Sequence, residues 1–85
     1  MNAKEKIYCA GYENIVYIPD HELDDAIIGI TTNDNVVYDY EKIIDSLMVK
    51  EGFDIINAMD WANNIARSLS YMGNNAPIIM YPLDW

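Results

Sequence analysis

The only histidine in the sequence, His21, sits in Asp20-His21-Glu22-Leu23-Asp24-Asp25, where five potential metal ligands fall within six residues. Oxygen donors at that density suit a hard divalent cation. The run lacks the spaced ligands and glycine of a calcium loop, and no second histidine or cysteine pair completes a zinc site. We therefore expect no metal and no cofactor, and read residues 20–25 as a solvated acidic loop between strands. Ser46, Ser68 and Ser70 lie in no nucleophile elbow, and a triad would have to draw on His21. Fourteen acids bring carboxylates close by chance, so no pair singles itself out for acid–base work. Gly73, between Met72 and Asn74, is no glycine-rich phosphate cradle. Cys9, the sole cysteine, rules out an intrachain disulfide and reads as a small buried hydrophobe rather than a reactive thiolate. Nothing here points to catalysis, and no enzymatic activity is expected.

Two groupings suit binding instead. Asn64 and Arg67 share one helical edge and the 71–75 loop follows, so an amide, a guanidinium and the Tyr71 ring can converge on a small anionic ligand. In the structural alternative Arg67 complements a helix C-terminus and Asn64 bonds loop carbonyls. The second grouping is acidic. Fourteen acids against Lys4, Lys6, Lys42, Lys50 and Arg67 give a formal net charge of −9, which repels nucleic acids and anionic membranes and favours encounter with a basic protein. Seven of the acids lie between Asp34 and Asp60. Among them Glu41, Asp45 and Asp60 project opposite apolar stripes, with Val49, Ile56 and the Tyr71-Met72 loop as candidate apolar anchors.

The elements that must position these residues follow from periodicity. With 85 residues, 52% of them hydrophobic, residues 1–85 are expected to form a single small domain around one core. Ile7-Tyr8-Cys9 and residues 15–18, the latter stopped by Pro19, read as short strands. Residues 26–31 and 36–38 flank Thr32-Asn33-Asp34-Asn35 and read as a β-hairpin. Asp39 caps a helix in which Tyr40, Ile43, Ile44, Leu47 and Met48 recur at helical spacing, and Gly52 ends it. Asp54 caps a second helix whose apolar arc holds Ile55, Ala58, Met59, Trp61, Ala62, Ile65, Ala66 and Leu69, placing Trp61 in the core. After the 71–76 loop, residues 78–81 between Pro77 and Pro82 form a last strand. The expected class is α+β, a small antiparallel or mixed sheet of three to five strands with two helices packed on one face. The apolar runs are far too short for a membrane span of about 20 residues. No signal-peptide core follows Met1, so the cytoplasm is the expected setting.

Four stretches, Ala26-Ile27-Ile28-Gly29, residues 36–42, Asn64-x-x-Arg67-x-Leu69-x-Tyr71 and Ala76-Pro77-Ile78-Ile79, resemble a family of small uncharacterised proteins encoded by phages and prophages of Gram-positive bacteria. The resemblance spans residues 24–81, and its most specific parts are the tyrosine-flanked Asp39 and the Asn64-to-Tyr71 stretch. Where the family usually carries proline, this chain has Ser70. The resemblance implies a phage accessory protein. For an acidic one, the implied role is anti-defence: a nucleic-acid mimic that inhibits a host system such as a CRISPR effector, whose channels are lined with Lys and Arg. The partner would be a basic host protein such as a nuclease effector, met in the bacterial cytoplasm by a monomer or homodimer. Two alternatives are a sponge for a nucleotide-derived immune signal, held by Asn64, Arg67 and tyrosine stacking, and a phage structural or replication accessory protein.

Overall fold

Three short polar side chains start the three α-helices. In the computed structural model, which describes residues 2–83, Asn2 caps α1 (Ala3–Cys9), Asp39 caps α2 (Tyr40–Lys50) and Asp54 caps α3 (Ile55–Leu69). Each side-chain oxygen accepts a backbone N–H three residues on, from Glu5 at 2.9 Å, Lys42 at 3.2 Å and Asn57 at 2.8 Å. These bonds satisfy donors that the first helical turn leaves unpaired. Gly52 (φ +72°) ends α2, and beyond the turn the Phe53 N–H donates to the Leu47 carbonyl at 3.3 Å.

The chain is α+β with a three-stranded mixed sheet. Strands β1 (Ile27–Ile30), β2 (Val36–Asp39) and β3 (Ile78–Met80) lie in the order β1-β2-β3, the first pair antiparallel and the second parallel. Thr31 organises the hairpin turn: its hydroxyl accepts the Asn33 and Asn35 N–H groups and its own N–H donates to the Asn35 carbonyl at 2.8 Å. That closure leaves Asp34 in the left-handed region at φ +65°. The parallel pair requires a long crossover, which α2 and α3 supply. One core joins Val36 and Tyr38 of β2, Ile43 and Leu47 of α2, and Ala58 and Ala62 of α3. On the opposite side of the sheet, Ile28, Ile78 and Met80 are each about two-fifths exposed. No helix among the described residues is long and apolar enough to cross a membrane.

Four expectations about the first 25 residues need correction. Ile7-Tyr8-Cys9 belongs to α1, because the Asn2 cap and the helix-forming run Ala3-Lys4-Glu5-Lys6 carry the segment into a helix. Only Ile7 of that helix is buried, so Cys9 is exposed. Residues 15–18 form no strand. The buried Ile18 N–H donates to the Tyr38 hydroxyl at 3.1 Å, so its partner is a side chain and not a neighbouring strand. Residues 20–25 are no solvated loop either. Asp20 caps a 3-10 helix (His21–Ala26) in which Leu23 and Ala26, three apart and therefore on one face, are fully buried beneath α2. Lys50 at the end of α2 ties the two together through Asp25 (2.7 Å) and the Glu22 carbonyl (3.3 Å).

Candidate functional site

The two long helices leave a groove between them that opens to solvent beside the core residue Ile44. On α2, Tyr40 with Ile44 and Glu41 with Asp45 form two i, i+4 pairs. On α3, Ile55, Met59 and Asn63 form one i, i+4, i+8 row. Two adjoining openings of about 280 and 400 Å³ share Tyr40, Glu41 and Met59. Tyr81 and Pro82, just past β3, close one end, with the Tyr81 ring 4.7 Å from that of Tyr40 and tilted by 45°. The Tyr40 phenol titrates above its ordinary value because of partial burial, with the neighbouring Tyr81 adding to the shift.

The groove has an apolar floor with an acidic edge. Ile55 is 55% exposed and Met59 43%, although both are large apolar side chains. Glu41 and Asp45 stand one helical turn apart on α2, exposed, and form no ion pair among the described residues. The cations that do pair are elsewhere: Lys50 with Asp25, and Lys4 with Asp24 at 3.1 Å. Such a site can take an apolar side chain and offer a carboxylate to a cation beside it.

Of the residues singled out in the sequence, Glu41 and Asp45 line the groove and the others do not. Ile56 and Asp60 are exposed on the neighbouring row of α3, about 100° further round. Asn64 and Arg67 are exposed beyond them, and no hydrogen bond or ion pair joins either side chain to Tyr71 among the described residues. Tyr71 is 89% exposed, whereas Met72 turns inward against the core and is no free anchor. Val49 is exposed near the end of α2. Arg67 does lie in the last turn of α3, where its carbonyl accepts the Ser70 N–H and hydroxyl. The amide that bonds the loop carbonyls is Asn35, not Asn64. From the hairpin turn its Nδ2 donates to the carbonyls of Asn74 (3.0 Å) and Ala76 (2.9 Å).

Trp61 also departs from expectation. It is 46% exposed at the edge of the apolar arc, its ring edge-on to Phe53 at 6.1 Å. The arc is wider than the strip it buries. Ala58 and Ala62 let α3 approach α2 closely, which leaves the bulky residues on either flank outside. Ile55, Met59 and Ala66, which share the expected buried arc, are likewise exposed, and that excess width is the signal that could have revealed Ile55 and Met59 as groove residues. Tyr81 and Pro82 had no such signal, since only the folded chain brings them to Tyr40.

Two carboxylates of the acidic run, Asp24 and Asp25, meet protein cations, while Asp20 caps the 3-10 helix. Asp24 Oδ1 is buried against the Lys4 ammonium, although the approach is too poorly aligned for a hydrogen bond, and Oδ2 lies 3.8 Å from His21 Nδ1. Lys4 in turn sits over the Tyr17 ring at 4.8 Å, which anchors α1. Among the described residues, no three His, Cys, Asp or Glu side chains gather as metal ligands. A further cleft, of about 340 Å³ between α1 and β1, mixes Lys6 with Asp24 and Asp25 and so presents no single charge. No protein-family model matches the sequence, and no curated protein or solved structure is significantly similar to it.

Proposed function

We propose that this chain is a non-enzymatic binding protein that docks the acid-edged groove between α2 and α3 on a basic protein surface. In keeping with the phage resemblance, it would act in the host cytoplasm as an inhibitor of a defence system, covering the nucleic-acid-binding site of an effector nuclease such as a CRISPR effector. One observation carries the reading: among the described residues, Glu41 and Asp45 are exposed and without cationic partners, and they border the large, exposed apolar side chains of Ile55 and Met59. Apolar anchors give affinity and carboxylates give steering, the combination that a fast, selective docking surface needs. The reading takes α2 and α3 to lie together on one face of the sheet, which their shared core with β2 supports. A nucleotide is a poor occupant, because the groove would set two carboxylates against its phosphates.

The test begins with affinity purification of tagged protein from a host carrying defence systems, with mass spectrometry to identify the bound effector. Wild type is then compared with Glu41→Lys plus Asp45→Lys in an effector-cleavage assay, after circular dichroism shows that the variant folds. Inhibition should fall at least tenfold, while Asp60→Lys, off the groove, stays near wild type. A folded double variant that inhibits as well as wild type, with binding unchanged between low and high salt, would overturn the proposal.

A further inference from the structure

We infer that the segment seated in the groove is an amphipathic helix carrying two cationic side chains one turn apart beside an apolar stripe. The inference rests on the docking reading above and adds the conformation of the partner. The first argument is backbone hydrogen bonding. Apart from Tyr81 and Pro82 at one end, the groove walls are side chains of two helices whose interior N–H and C=O groups are already paired, so these walls offer no ladder to an extended peptide. A strand laid there would bury unpaired polar groups, whereas a helix satisfies its own.

The second argument is shape. The wall formed by Ile55, Met59 and Asn63 runs along the α3 axis for eight residue steps, about 12 Å at 1.5 Å per residue. That length matches slightly more than two turns of a third helix packed along the pair. The third is charge spacing. Glu41 and Asp45 are four residues apart on one helix, so cations four apart on a facing helix meet them in register. A second copy of this chain is disfavoured as occupant, since it would bring another net charge of −9 to an acidic edge.

Three synthetic peptides of about 14 residues, some four helical turns, serve as probes, with binding read by anisotropy and amide chemical shifts. The first is amphipathic, with a leucine stripe flanked by arginines at i and i+4. The second carries a central proline that breaks the helix, and the third has glutamates for the arginines. The first peptide should bind with shift changes centred on Tyr40, Glu41, Ile44 and Met59, and bind at least tenfold more weakly to Glu41→Lys plus Asp45→Lys. The proline and glutamate peptides should each lose at least tenfold. If the proline peptide binds as tightly as the first, the helical inference is wrong and the docking reading stands. If the glutamate peptide binds as tightly, or if neither arginine peptide binds, both are wrong.

Discussion

The Tyr38 hydroxyl has no access to solvent and accepts the Ile18 N–H at 3.1 Å. Burial, opposed only in part by that hydrogen bond, pushes the phenol from its ordinary 10 up to about 12. Below pH 10 the group is neutral in both folded and unfolded chains and its contribution to stability is complete. Between pH 10 and about 12 the unfolded chain loses the proton first, so stability falls as pH rises through that window. Of the seven tyrosines, Tyr38 should therefore titrate last when absorbance is followed at alkaline pH, and Tyr38→Phe should remove that final step. The same variant orphans a buried N–H and should cost about 1–3 kcal/mol in urea unfolding. At this scale, legibility in the sequence followed distance along the chain. The Asp39 and Asp54 caps act within three residues and were readable, whereas Tyr38 and Ile18 meet across twenty.

The elements that periodicity located correctly, the hairpin, α2, α3 and β3, each have a local signal: a turn sequence, a cap or flanking prolines. Residues 15–18 have strand composition but no strand partner, and α1 is too short for its period to outweigh its β-prone end. The candidate site was legible in part, since Glu41 and Asp45 show as polar positions on α2, but the groove exists only once α3 packs beside it. On α3 the small residues, not the large ones, set the spacing. Trp61→Ala should lower stability by only about 1 kcal/mol, because half of its surface and one edge-on aromatic contact are at stake. Ala62→Leu should cost more, about 1–3 kcal/mol, since the fully buried Ala62 leaves no room for added atoms. Thermal melts of the two variants side by side would reverse this order if Trp61 were core. The Asn35 clamp is another element-scale device. Asn35→Ala should raise hydrogen exchange at the Ile78–Met80 amides far more than in α2, because it frees the two carbonyls that hold the approach to β3.

Across the whole molecule, fourteen acids and five bases leave a net charge of −9, and only two of those bases, Lys4 and Lys50, are in ion pairs with carboxylates among the described residues. Self-repulsion should therefore outweigh attraction. The thermal midpoint should rise on going from about 0.02 to 0.5 M salt, as the screening length shrinks well below the size of the domain. A falling midpoint would mean that the Lys4 and Lys50 pairs dominate. The parallel pairing of β2 with β3 bears on how the fold is reached. Val37 and Ile78 are partners across forty-one positions, with both long helices in between, whereas Ile30 and Val36 meet across a tight turn. High sequence separation slows closure, so the hairpin should form early and β3 dock last. Until it docks, the nascent sheet ends at an open β2 edge while Ile78-Ile79-Met80 is itself an unpaired apolar segment, the two features that drive chains to pair with one another. During that interval the net charge of −9 should act as a folding safeguard, opposing association of incomplete chains until β3 has paired with β2.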